Sequence, residues 1–150
     1  MEILSKEQIL LNDQLSSKNE ILQLIAKKAA TLGLVSSCEE LMESFMEREA
    51  LGMTGIGEGI AIPHGKSSAI NRVSVMVVKS AIPIQWESFD NNPVYVVIAL
   101  MVPKENPDNI HLQILSSISR KLMDKDFKKS LFGSSTPDEI MELFKEVSIK

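Results

Sequence analysis

The chain has two histidines, and the residues around the first suggest a chemical centre. Residues 52–66 read Gly-Met-Thr-Gly-Ile-Gly-Glu-Gly-Ile-Ala-Ile-Pro-His-Gly-Lys, so four of seven glycines precede a short apolar run that delivers His64 between Pro63 and Gly65. Glycine allows positive φ and close backbone approach to a ligand, and proline fixes φ where the chain enters the bracket. This approach is expected to leave the imidazole exposed at a strand end, where ligands collect in α/β sheets.

Several chemistries can be weighed on spacing alone. Gly59 to Gly65-Lys66-Ser67 resembles a phosphate-binding P-loop, but five residues intervene where four are needed, and Pro63 lacks an N–H to offer phosphate. Gly55-x-Gly57-x-Gly59 departs from the dinucleotide fingerprint, and the segment before it, Phe45–Leu51, reads as helix instead of strand. Two histidines and the remote Cys38 lack the paired spacing of a zinc site. A serine hydrolase is disfavoured because the chain contains no Gly-x-Ser-x-Gly elbow.

His111 admits two readings. It falls in the second turn of a helix expected to open at Asn106-Pro107, on one stripe with Leu115, Ile118 and Leu122. A buried, hydrogen-bonded histidine fits that stripe. A partner for His64 fits the helix start, where free N–H groups and the positive end of the dipole favour anions. Two histidines meeting there would suit a phosphoryl group.

The elements that must position these residues follow from caps and apolar periodicity. Ser17-Lys18-Asn19-Glu20 is a capping box, with Leu22, Ile25, Ala26 and Ala29 behind it and an end near Gly33. A second helix starts at Ser36 or Ser37, with Glu39 or Glu40 three positions on, and runs to Glu49. Thr136-Pro137-Asp138-Glu139 starts a third, with Ile140, Leu143, Phe144 and Val147 on one face. A long helix through Met123 and a short one around Phe127–Leu131 lie between. Val73–Val78 and the apolar run Val94–Val102 read as buried strands, the second preceded by an Asp90-Asn91-Asn92-Pro93 turn. Together these predict an α/β protein, a three-layer α/β/α domain with a mixed, mostly parallel sheet.

Composition bounds the partners. At 150 residues, 44% hydrophobic and 24% charged, one globular domain spanning 1–150 is expected, with its core at about 8–147. A net charge of −4 argues against nucleic acid, and no apolar stretch is long enough to insert in a membrane. The polar N-terminus does not read as a signal peptide, and the single cysteine suits a reducing cytoplasm. The end of the chain at Lys150, shortly after the last helix, suggests a standalone protein.

The run Arg48-Glu49-x-x-Gly52-x-Thr54-Gly55-Ile56-Gly57-x-Gly59-Ile60-Ala61-Ile62-Pro63-His64-Gly65 closely resembles the signature of enzyme IIA of the fructose/mannitol family. These are components of the bacterial phosphoenolpyruvate:sugar phosphotransferase system. His111-Leu112-x-x-Leu115, Ser119-Arg120-Lys121-Leu122-Met123 and Thr136-Pro137-Asp138-Glu139-Ile140 resemble its C-terminal half. The resemblance implies that His64 accepts a phosphoryl group from the phosphocarrier HPr. It would then pass the group to a cysteine of enzyme IIB, which serves the membrane permease IIC. It places His111 and Arg48 in the same pocket, and Lys66 leans towards fructose-type members. A regulatory, nitrogen-type enzyme IIA is the alternative.

On that reading no metal or cofactor is needed, since donor and acceptor are both protein side chains. Arg48 would supply a permanent charge and His111 a hydrogen bond to a phosphoryl oxygen. The loop residues Thr54, Gly55 and Gly57 are expected to bind the phosphoryl group. Met53 and Ile56 are candidates for a docking rim, whereas Ile60 is expected in the core. Glu49 and Glu58 read as a helix-end charge and a solvated loop residue.

Overall fold

The apolar runs at 74–84 and 94–103 become the two long central strands of a six-stranded sheet in the computed structural model, which describes residues 3–105 and 109–147. In chain order the elements are β1 (Ile9–Asp13), α1 (Lys18–Thr31), α2 (Cys38–Leu51), β2 (Gly55–Gly57), β3 (Ile60–Ala61), β4 (His64–Ser67), β5 (Ser74–Ile84), β6 (Val94–Pro103), α3 (Ile110–Leu122), α4 (Lys125–Gly133) and α5 (Pro137–Leu143). The sheet order is β1-β5-β6-β3-β2, with β4 also paired to β6. Three pairings are parallel and two antiparallel, and the long β5–β6 ladder is antiparallel. The expected mixed sheet between helical layers is therefore present.

Alternation along the central strands builds two cores. Val75, Val77, Ile98, Leu100 and Val102 face α3, α4 and α5, where Ile114, Ile118, Leu131 and Ile140 cover them. Met76, Val78, Val97, Ala99 and Met101 face α1 and α2, against Ile21, Ile25, Leu41 and Phe45. Because both faces are covered, both sets of alternating positions are apolar, which is why β6 reads as one continuous run.

The caps act as their residue types dictate. Ser17 accepts the Glu20 N–H at 3.2 Å, Ser37 rather than Ser36 accepts the Glu40 N–H at 3.1 Å, and Thr136 accepts the Glu139 N–H at 3.3 Å. Helix α1 gives way to Gly33 at φ +75°, a left-handed position that suits glycine.

Three expectations need adjustment. Strand β1 has no counterpart among the expected elements, and β5 extends beyond the expected 73–78 to Ile84. The glycine segment is a short hairpin and an edge strand instead of an extended loop. Helix α3 begins at Ile110, so His111 lies in its first turn; the expected start at Asn106-Pro107 lies outside the described residues. Among the described residues, no helix is long and apolar enough to cross a membrane.

Candidate functional site

His64 is delivered by a strand with an interruption. Ile60 pairs with Val96 and Ala61 with Val97, and after Ile62-Pro63 the same register resumes with His64 opposite Leu100. Pro63 donates no hydrogen bond, but its carbonyl accepts the Leu100 N–H at 2.9 Å, so the strand holds its line through the break. His64 therefore starts β4 beside the central strand.

The next residue determines what can approach it. Gly65 is buried, and a Cβ built there would lie 2.7 Å from Leu41 Cδ1 and 3.1 Å from Phe45 Cε1. Its missing side chain lets α2 lie directly on β4. Ser44 of α2 closes the contact: it donates to the Lys66 carbonyl at 2.9 Å and accepts the Lys66 N–H at 2.7 Å. The last turn of α2 then carries Arg48 to the histidine.

These elements enclose a pocket of about 490 Å³, into which Arg48, His64, Lys66 and His111 converge over a floor that includes Leu100 and Val102. His64 is half-buried, and its Nε2 is buried with no hydrogen-bond partner among the described residues. Burial pushes its pKa down to about 4, helped by the positive charge of Arg48 and by His111. At neutral pH the ring is uncharged, as a nucleophile requires. Burial also lowers His111, with the Lys66 ammonium adding to the effect. Arg48 spends one donor of its five-donor fork on the Gly52 carbonyl, at 3.1 Å, and among the described residues no other hydrogen bond from it is seen.

Of the expected site residues, His64, His111 and Arg48 meet in this pocket, whereas Thr54, Gly55 and Gly57 do not line it. Thr54 is buried, and its hydroxyl donates to Glu49 Oε2 at 2.6 Å while accepting from the Trp86 indole N–H at 3.0 Å. Gly55 packs against the 87–88 backbone, where a Cβ would come within 2.4 Å of the Glu87 carbonyl. Gly57 turns the β2–β3 hairpin at φ +93° beside Asp90. The Asp90 carboxylate accepts the Glu58 and Asn92 N–H groups and the Ser88 hydroxyl, which holds its pKa down to about 2. The Thr54 hydroxyl and the Glu58 N–H are thus committed to the architecture of this segment.

Other expectations divide in the same way. Ile60 is core, and Met53 and Ile56 are exposed, as are Leu51 and Leu112 at the pocket mouth. Glu49 stands in the last turn of α2 as a helix-end charge, but its side chain is only 4% exposed and pairs with Lys18 at 3.4 Å. Glu58 forms an ion pair with Lys128. Lys66, two residues after His64, has its side chain on the same face of β4. No group of three or more histidine, cysteine, aspartate or glutamate residues among the described residues is arranged to hold a metal. A pocket of about 720 Å³ elsewhere is lined by Lys79, Tyr95 and Phe132, with neither histidine in its wall.

Residues 2–147 match the family model described as phosphoenolpyruvate-dependent sugar phosphotransferase system, EIIA 2. The chain belongs to that family. This EIIA chain is 38% identical over 133 residues to the nitrogen regulatory protein of Klebsiella oxytoca, covering 87% of the chain and 80% of the relative. It is 30% identical over 141 residues to the fructose-specific EIIA component of Haloferax volcanii, covering 94% and 91%. Among solved structures, the nitrogen regulatory protein IIA-Ntr of Neisseria meningitidis superposes with a TM-score of 0.85 at 29% identity, covering 94% of this chain and 95% of that one. Other curated relatives are much longer, and the chain spans only 17–23% of the length of several of them.

Proposed function

We propose that this EIIA chain is a cytoplasmic protein-histidine phosphotransferase component, carrying a phosphoryl group on Nε2 of His64 between HPr and an enzyme IIB for sugar uptake. The observation that carries this reading is a neutral His64 set in one pocket with Arg48 and His111, its Nε2 without a hydrogen-bond partner among the described residues. The Nε2 lone pair forms a new N–P bond as the N–P bond of the donor phosphohistidine breaks, and the donor imidazole leaves with that electron pair. In the second transfer, a thiolate sulfur of enzyme IIB attacks phosphorus and His64 leaves in the same way. Charge on the transferring oxygens is met by the Arg48 guanidinium and by an N–H of His111, so catalysis is positioning plus electrostatics. The donor and acceptor must dock reversibly, which suits small interfaces around the exposed Leu51, Met53 and Leu112.

The test is label transfer from phosphoenolpyruvate through enzyme I and HPr. The wild-type chain takes up acid-labile, base-stable phosphate and His64→Ala takes up none; a labelled His64→Ala protein would remove the assignment. The regulatory reading has support in the 38% identity to the Klebsiella nitrogen regulatory protein, above that to the fructose-specific relative. The two readings part on discharge: a transport component loses its phosphate rapidly to cognate IIB and sugar-bearing membranes, and a regulatory one does not.

A further inference from the structure

Arg48 and His64 reach the pocket on different elements, and one residue touches the supports of both. Thr54 lies between them in sequence and is 3% exposed. Its hydroxyl donates to Glu49 Oε2 at 2.6 Å, gripping the last turn of α2 next to Arg48. Its backbone carbonyl accepts the Ile62 N–H at 2.9 Å, gripping the strand two residues before His64. The hydroxyl is held in turn by the Trp86 indole at 3.0 Å, and the Glu49 carboxylate by Lys18 at 3.4 Å.

We propose that Thr54 is a positioning residue: it sets the placement of Arg48 against His64, with Glu49 as its anchor on α2. The proposal deepens the phosphocarrier reading and rests on it. The signature threonine then acts through the two groups that touch phosphate and needs no contact with phosphate itself. A buried carboxylate that accepts a hydroxyl hydrogen bond and pairs with an ammonium has little freedom to move, because displacement costs it those partners after desolvation. The Gly52 carbonyl, which accepts from Arg48 at 3.1 Å, lies inside the 49–54 segment that Thr54 and Glu49 close, so the same link steadies the acceptor that holds the guanidinium. Small displacements of reacting groups are costly in transfer reactions, where a misplacement of about 1 Å can slow the step by roughly two orders of magnitude.

The test compares Thr54→Val, which keeps the shape and loses both side-chain hydrogen bonds, with Thr54→Ser, which keeps the hydroxyl. Uptake of label from phospho-HPr is measured over a range of donor concentrations. Thr54→Val is expected to lose about tenfold or more in the rate at saturating donor, with an unchanged KM, while Thr54→Ser stays near wild type. A wild-type rate for folded Thr54→Val, an equal loss in Thr54→Ser, or a loss confined to KM would overturn the proposal. If Thr54→Val does not fold, Glu49→Met breaks the link at its other end, and a wild-type rate there overturns it equally. A second readout is independent of transfer: burial, the first cause of the low His64 titration, stays in both variants, but drawing Arg48 away removes the second, so the titration followed by NMR moves up from about 4 in Thr54→Val, staying below 6.5, and does not move in Thr54→Ser. If the wild type accepts no phosphate at all, the carrier reading fails, and an unmoved His64 titration still sinks the positioning role separately.

Discussion

Gly65 and Leu41 approach so closely that no side chain fits between them: a Cβ on Gly65 would lie 2.7 Å from Leu41 Cδ1. Leu41 is fully buried, and the Phe45 ring closes the other side at 3.1 Å, so a rotamer change has no free space to use. Gly65→Ala must push α2 away from β4, and α2 carries Arg48. Overpacking of this kind costs about 1–3 kcal/mol. The expected result is a lower denaturation midpoint together with slower label uptake from phospho-HPr. A variant with wild-type stability and rate would show that α2 shifts without disturbing the pocket.

Removing His111 should damage transfer without preventing phosphorylation. His111 stands in the first turn of α3 and lines the pocket with His64. Loss of one donor to a developing phosphoryl charge typically lowers the rate about 10²–10³-fold. His111→Ala should therefore take up label slowly but to full stoichiometry, whereas His64→Ala takes up none. Single-turnover quench-flow measures the difference, and equal rates for His111→Ala and wild type would take His111 out of the machinery.

Stability should depend on pH through His64. Its pKa is about 4 in the folded chain, below the 6.5 of an exposed imidazole. Between those values the unfolded chain binds a proton that the folded one refuses, so stability rises with pH across that window. The contribution is complete above about pH 6.5 and lost as pH falls towards 4, on the order of 3 kcal/mol in all. Urea melts of wild type and His64→Gln at pH 4.5 and 7 should converge on different slopes, with the variant losing less stability on acidification.

The helices α1, α2 and α5 were legible because each is opened by a capping box, and β6 because its apolar run is long enough to be buried on both faces. His64 and His111 were legible as a possible pair from residue chemistry, and Arg48 joined them only through the family resemblance. Strands β2, β3 and β4 were not, since glycine and proline are poor strand formers and pairing to β6 overrides that local preference. The burial of Thr54 and Glu49 was hidden for a different reason. A threonine beside glycines reads as a loop donor, and only the fold brings Trp86 and Lys18 against it. The place of Lys66 beside His64 depends on the alternation of β4, which its Pro-His-Gly-Lys sequence does not signal.

The glycine hairpin should affect stability more than chemistry. Gly57 adopts φ +93°, and an added Cβ would come within 3.3 Å of Asp90 Oδ2. Alanine is strained at positive φ, and the cost is about 1 kcal/mol or more. Gly57→Ala should lower the thermal midpoint, and label uptake at saturating donor should stay near wild type at temperatures where it is folded. A large rate loss in a stably folded Gly57→Ala would return the loop to a direct role at the phosphoryl group.

Lys66 offers a test of the pocket's electrostatics that leaves its shape largely intact. Its backbone is fixed by Ser44 and its side chain is exposed, so Lys66→Met removes charge without emptying a core position. His111 is held below the ordinary imidazole range first by burial and then by the Lys66 ammonium. Deleting the ammonium removes only the second cause. The His111 titration, read by NMR, should therefore move up in Lys66→Met while staying below that of an exposed histidine. At fixed pH near that titration a larger fraction of His111 becomes charged. If the His111 titration does not move, Lys66 does not act on it, and burial alone holds His111 low.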